Sequence, residues 1–221
     1  MPPQLSPQRV APGDRRGTLV TLEGGEGSGK STQAETLAGL LRERGYSVVL
    51  TREPAGTALG GIVKEILQRG IALTPEAEMF LFQAARAQHV EEVVRPALER
   101  GDIVLCDRYT DSTLAYQGYG RGLNLDHLRA VNHIATGGLE PHFTLLLDVP
   151  PETGLARKDH EQLTDSIGSE SLEFHQRVRT GFLELAKREP KRIAVVDAAA
   201  PAEQVTSAAW QHLERFLDRM L

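Results

Sequence analysis

The chain has 221 residues, with 25 Lys plus Arg against 30 Asp plus Glu and a formal charge of −5. That balance argues against a general polyanion-binding surface, which needs a basic face. The length gives one large domain or two small ones, with enough core to need no disulfide or metal staple, and the lone cysteine, Cys106, excludes an intramolecular disulfide and a cysteine-rich zinc site.

Met1 to Arg16 holds Pro2, Pro3, Pro7 and Pro12 with almost no apolar periodicity. It is expected to be a flexible extension, residues 1–16, and it lacks the apolar h-region of a signal peptide. No apolar run approaches the roughly 18 residues that span a membrane. A reducing cytoplasm is the expected compartment, with neither membrane nor nucleic acid as a partner.

From Gly17 the pattern changes. Thr18-Leu-Val-Thr-Leu22 is a short β-prone run that ends in Glu23 and a glycine cluster. Lys30 to Arg44 places Leu37, Leu40 and Leu41 on one helical face and stops at Gly45. Ser47–Thr51 is a second apolar run, and Thr74-Pro75 reads as an N-cap with proline at the first helical position. Ile103–Asp107 is a third run, Phe143–Asp148 a fourth and Arg192–Asp197 a fifth. Helical spacing recurs over Asn124–Ala135, Ser169–Arg188 and Pro201–Leu221. Strands that are apolar throughout, alternating with helices, predict an α/β fold around a five-stranded parallel sheet covered on both faces. Residues 17–221 are expected to form a single domain.

Gly24-Gly-Glu-Gly-Ser-Gly29-Lys30-Ser31 matches G-x-x-x-x-G-K-[ST] between a predicted strand and a predicted helix. Glycines let the backbone wrap closely, so that its N–H groups aim at phosphate oxygens, and the helix N-terminus adds partial positive charge. Gly24, Gly25, Glu26, Gly27, Ser28, Gly29, Lys30, Ser31 and Thr32 are therefore the expected ATP site. Lys30 would reach the terminal phosphates and Ser31 would ligand Mg²⁺. Asp107, ending an apolar strand, resembles the carboxylate that completes such a metal site; Asp148 ends another strand and is the alternative. Asp107 is preferred because Arg108 follows it directly. A signalling GTPase would need N-K-x-D, which is absent; Asp165-Ser-Ile-Gly168 fits D-x-x-G but lies too far downstream.

Several ordered motifs together resemble the thymidylate kinase family from Gly17 to the C-terminus. They are Leu22-Glu-Gly-Gly-Glu-Gly-Ser-Gly-Lys-Ser-Thr-Gln33, Thr51-Arg-Glu-Pro-Ala-Gly-Thr57, Phe82-Gln-Ala-Ala-Arg86, Asp107-Arg-Tyr109, Ser112-Thr-Leu-Ala-Tyr-Gln-Gly118 with Gly120-Arg-Gly122, and Leu147-Asp-Val-Pro-Pro-Glu152. Ala55 stands where the family usually has a second glycine. The resemblance implies a P-loop NTPase fold, a homodimer, and transfer of the γ-phosphoryl of ATP to dTMP with Mg²⁺. It also implies that Arg52 and Arg108 bind the acceptor phosphate, Phe82 stacks on thymine, and Arg86 hydrogen-bonds its carbonyl edge. Thr113 and Gln117 would make further base or sugar contacts. Tyr116 would crowd a 2′-hydroxyl, and Glu26 would accept from the 3′-hydroxyl. The loop near Asp197 to Ala200 would approach adenine. The same resemblance puts the helix carrying Phe80, Leu81 and Phe82 at a dimer contact.

One segment departs from the family. Members without a P-loop arginine usually carry an arginine-rich lid, here expected at about residues 157–168. This chain has Asp159, His160 and Glu161 there instead, with Asp165-Ser166 and Gly168 further on. Arg157 is the expected source of the missing charge, with Lys158, Arg177 and Arg179 as reserves. Lys30, Arg52, Arg108 and Arg157 are thus the expected catalytic set. Three rivals remain at this level: another nucleoside monophosphate kinase, a deoxynucleoside kinase using Glu53 as base, and a P-loop module that binds nucleotide without catalysis.

Overall fold

Runs of Val, Leu and Ile too short and too apolar for surface helices become five parallel strands in the computed structural model, which describes residues 17–159, 168 and 170–220. The expected extension 1–16 and most of the expected lid lie outside the described residues. The strands are β1 (Thr18–Glu23), β2 (Val48–Arg52), β3 (Ile103–Asp107), β4 (Phe143–Asp148) and β5 (Ile193–Asp197). Their order across the sheet is β2-β3-β1-β4-β5, all parallel. β1 and β3 are buried along their whole lengths, as central strands covered on both faces must be.

Helices cover both faces. On one side α1 (Lys30–Glu43) packs with the C-terminal helix on Val20, Leu22, Leu105, Leu145 and Leu147. On the other, Leu19, Val104, Cys106 and Leu146 meet the remaining helices. Burial pushes the Cys106 thiol well above its usual range, which fits a small inert core residue.

The expected helices form as α1, α3 (Pro75–His89), α6 (Leu125–Thr136), α8 (Leu172–Arg188) and α9 (Ala202–Met220). Their ends shift by a few residues from the sequence boundaries. Ser171, for example, is the N-cap that accepts from Phe174 N, so α8 starts later than Ser169. Four helices were not predicted: α2 (Ala58–Gln68), α4 (Arg95–Glu99), α5 (Thr110–Thr113) and α7 (Pro151–Asp159). Paired Gly60 and Gly61 lower the helix propensity of α2. Yet Gly60 is required there, because a Cβ at that position would sit 1.7 Å from the Pro54 carbonyl oxygen. Wide π-helical turns at Val90–Val94 and Leu114–Gly120 extend α3 and α5. Among the described residues no helix is long and apolar enough to cross a membrane.

Leu145 is fully buried in β4 at the centre of this packing. Leu145→Ala should cost about 2–5 kcal/mol in denaturant unfolding. A loss under about 1 kcal/mol would contradict the packing described.

Candidate active site

β1 and β3 are neighbours in register, with Leu22 opposite Asp107. The loop leaving β1 and the turn leaving β3 therefore emerge side by side at the carboxyl edge of the sheet, where ligands of open α/β folds bind. Loop 24–29 carries the glycines. Gly27 has φ +64 and lies against α7; a Cβ there would fall 1.9 Å from the Gly154 carbonyl oxygen. Lys30 starts α1, and its ammonium donates back to Gly25 O at 2.7 Å, Gly24 O at 3.1 Å and Ser28 Oγ at 3.2 Å. Burial, with Arg108 nearby, depresses it to about 8 against the pull of Glu26, Asp107 and Glu23.

The next residue, Ser31, donates from Oγ to Asp107 Oδ2 at 2.6 Å. Among the described residues Asp107 Oδ1 is buried with no hydrogen-bond partner. A buried carboxylate oxygen left unpaired is costly unless a cation takes it. A hydroxyl and a carboxylate at hydrogen-bond distance, with one oxygen open, form the protein half of a hard-cation site. The alternative, Asp148, is held by Arg179 through two hydrogen bonds of 2.7 and 2.8 Å and lines neither cavity described below.

Arg108 sits in the left-handed region, φ +72, a strained setting for a side chain of its size. Two groups hold the turn. Its own N–H donates to Leu22 O at 3.0 Å. Behind it, fully buried Glu23 accepts from the N–H of Tyr109 at 2.8 Å and of Ser112 at 3.2 Å, and lies 2.6 Å from Ser112 Oγ. The strained turn aims the Arg108 guanidinium outward. There it donates to Glu26 Oε1 at 2.5 Å and stacks 4.9 Å from the Tyr116 ring centroid. The Tyr116 hydroxyl donates to the same Glu26 oxygen at 2.9 Å.

Two cavities share this wall. One, of about 300 Å³, is lined by Glu26, Arg52, Phe82, Arg86, Arg108, Thr113, Tyr116 and Gln117, every residue the sequence assigned to the acceptor. The other, of about 730 Å³, is lined by Glu26 through Thr32, Lys30 and Ser31 among them, together with Arg157 and residues 198–202. Glu26, Ser31, Asp107 and Arg108 belong to both. Gly24 and Gly25 lie outside the second cavity and contribute the carbonyls that hold Lys30. Arg157 donates to the carbonyls of Ala198 at 2.8 Å and Ala199 at 3.4 Å, so α7 is tied to the loop after β5. Of the reserves, Arg179 is engaged by Asp148 and Arg177 by Gly120 O, while the Lys158 side chain is outside the described residues.

Arg86 is held more tightly from within the protein than the other cavity residues. Its guanidinium is only 2% exposed. It pairs with Glu53 at 2.7 Å and donates to Thr113 Oγ1, Asn132 Oδ1 and Tyr109 O at 2.7–3.0 Å. These bonds hold it in place at the wall of the smaller cavity, which it lines. Glu53 is correspondingly unsuited to act as a base. Burial alone would raise its carboxyl, but Arg86 and His89 more than offset that and hold it below the usual range. Glu23, Asn132 and Glu78, all buried behind the cavity residues, were missed by sequence reasoning. Only Glu23 left a trace, as a charge ending an apolar strand.

The family model for thymidylate kinase matches residues 22–209. A thymidylate kinase of Synechococcus sp. (strain JA-3-3Ab) is 55% identical over 192 residues, covering 87% of this chain and 93% of that protein. One from Thermomicrobium roseum is 54% identical over 202 residues, covering 91% and 96%. The crystal structure of thymidylate kinase from Ehrlichia chaffeensis superposes with a TM-score of 0.73 at 34% identity, covering 89% of this chain and 98% of that one.

Glu23 generates a test. Burial, with Asp111 close by, raises its carboxyl to about 8 from 4.5, against the opposing hydrogen bonds from Ser112 and Tyr109. Between these values the folded chain holds a proton that the unfolded chain has lost, so stability falls as pH rises through this window. Glu23→Gln removes that slope. Its melting temperature relative to the parent should climb between pH 5 and pH 8, followed by scanning calorimetry; a constant difference would refute the assignment.

Proposed function

Because the chain belongs to the thymidylate kinase family and phosphorylates dTMP to dTDP with ATP as donor, we propose that the two cavities divide the labour: the larger takes ATP and the smaller takes dTMP. The observation that carries this is their shared wall of Glu26, Ser31, Asp107 and Arg108, which sets donor and acceptor end to end.

The reaction needs alignment and charge neutralisation more than proton transfer. The attacking group is an oxygen of the dTMP phosphate, already ionised near neutral pH, so no strong base is required. It bonds to the γ-phosphorus while the bond to the ADP oxygen breaks. Arg52, half exposed at the end of β2, and Arg108 bind the acceptor phosphate. Phe82 packs on the base, Thr113 and Gln117 read its edge, and Tyr116 closes the sugar side. Glu26, gripped by Arg108 and Tyr116, is fixed where it can accept from the 3′-hydroxyl. Lys30 exchanges its P-loop carbonyls for phosphate oxygens. Ser31 and Asp107, with the open Oδ1, fit Mg²⁺. When bound there, Mg²⁺ would neutralise the phosphate charge that builds up during transfer.

Further parts of the reading follow from the family. The described residues from 17 onward act as one P-loop kinase domain, residues 157–168 serve as its lid, and 1–16 extend from it. The protein works in the cytoplasm as a homodimer. Phe80, Ile62 and Ile134, exposed at 60%, 56% and 77% on α3, α2 and α6, supply apolar area for that contact.

The reading is tested by coupled ADP release with ATP and Mg²⁺, offering dTMP, dUMP, UMP, GMP and thymidine in turn. dTMP should be the best acceptor and thymidine should be inert. Release with thymidine alone would mean a nucleoside kinase, and tight ATP binding without any release would mean a binding module.

Arg157 faces the ATP cavity and takes the part of the absent lid arginines. Supplied charge of this kind contributes roughly 10³ to 10⁵ in rate. Arg157→Ala at saturating ATP and dTMP should lower turnover by more than about tenfold; a smaller change removes the assignment.

A further inference from the structure

Gln117 is 2% exposed and lines the acceptor cavity from the wide helical turn Leu114–Gly120. Its amide nitrogen donates to Glu78 Oε1 at 2.8 Å. Glu78 lies in α3, one turn before Phe82, and is itself buried. Arg121, at the end of the same wide turn, donates to Glu78 Oε2 at 2.9 Å and to Oε1 at 3.3 Å. Its other terminal nitrogen binds Glu170 at 2.5 Å, and its plane covers the Phe174 ring.

We propose that Glu78 is a specificity-positioning residue: by accepting the Gln117 amide nitrogen, it turns the Gln117 oxygen toward the acceptor base. This rests on the dTMP reading above. The two ends of a glutamine amide are alike in shape, so only hydrogen-bond partners decide which way it faces. A carboxylate paired with arginine offers acceptors and no donor, so the nitrogen must face Glu78. The oxygen is left for the cavity. A thymine edge presents an N–H between two carbonyls; a cytosine edge presents a bare ring nitrogen beside an amino group. An amide oxygen held in place pairs with the first and confronts a lone pair on the second. Glu78 touches neither base nor phosphate. It acts through Gln117, and Arg121 fixes Glu78 in turn.

The cost of facing the wrong edge is set by how firmly the amide is held. A site that hydrogen-bonds a substrate group discriminates strongly because mispaired buried polar atoms are expensive. Glu78→Gln replaces the acceptor-only partner with an amide that can donate or accept, so the Gln117 amide can turn over at little cost.

The experiment compares kcat/KM for dTMP with that for 5-methyl-dCMP, which keeps the methyl, sugar and phosphate and reverses only the base edge. In the full chain the parent should prefer dTMP strongly. Glu78→Gln should cut that preference by at least about tenfold, mainly through KM for dTMP, with KM for ATP within about twofold. Glu78→Asp, which stays acceptor-only, should keep the preference within about threefold of the parent. Equal losses on both acceptors, or an unchanged preference, would overturn the proposal. If Glu78→Gln does not fold, Arg121→Gln asks the question from the other partner: a fall of at least about threefold supports it and an unchanged preference refutes it. A parent that phosphorylates neither deoxynucleotide would overturn the dTMP reading itself, whereas a parent active on dTMP with variants of unaltered preference would overturn only the role of Glu78.

Discussion

The pairing of β1 with β3 is the constraint on which the site depends. Leu22 lies opposite Asp107, so the chain leaves both strands at the same level of the same edge. That register brings Ser31, one residue into α1, within 2.6 Å of Asp107, although 76 residues separate them. It also brings Glu23 beneath the turn that carries Arg108. A parallel pair cannot slip by one residue without turning every side chain to the opposite face. Because β1 and β3 are buried on both faces, such a slip would disrupt the whole core. The glycine-rich loop, Asp107 and Arg108 are thereby fixed together by core packing.

Carboxylates organise the cations of this site. Arg108 meets Glu26, Arg86 meets Glu53, and Arg121 meets Glu78. Each is a buried or half-buried pair, and such pairs contribute orientation more dependably than stability. A guanidinium held by one carboxylate keeps its plane and its remaining donors in a set direction. This is how an acidic chain can present a binding surface to two anionic nucleotides. The net charge of −5 describes the whole molecule, while the site depends on where a few cations are held. Lys30 and Arg52 differ from the paired arginines. The first folds back on backbone carbonyls, and the second is half exposed, 4.0 Å from Glu35.

The acceptor cavity thus has a working layer and a bracing layer. Phe82, Thr113, Tyr116 and Gln117 face the space. Behind them Glu78 accepts from Gln117, while Glu23, Glu53 and Asn132 hydrogen-bond the groups that flank them, the Tyr109 and Ser112 N–H, the Arg86 guanidinium and the Thr110 carbonyl. The bracing layer comes from different strands and helices than the groups it holds, so its members are remote in sequence from their partners. Arg86 crosses between the layers: it lines the cavity, yet its donors are turned to Glu53, Thr113, Asn132 and Tyr109.

Much of this was legible in the residues alone. Five apolar β-prone runs are the five strands, because a strand buried on both faces must be apolar throughout. The P-loop was legible because its glycines, lysine and serine are contiguous and each has a local reason to be there. The residues expected around the acceptor were named from ordered motifs, and they line one cavity. Helix α2 escaped because two glycines weaken its propensity, while the close approach of Pro54 that requires one of them is a tertiary fact. Asp107 was preferred to Asp148 in the sequence because Arg108 follows it; the partners of the two, Ser31 beside Asp107 and Arg179 beside Asp148, come from distant parts of the chain and are tertiary facts. The sequence by itself determined which residue types the chemistry would use and the strands and loops that carry them, because those signals are local. Only the tertiary structure decided which carboxylate each cation meets and which way the Gln117 amide faces, because hydrogen-bond direction depends on partners that arrive from elsewhere in the chain.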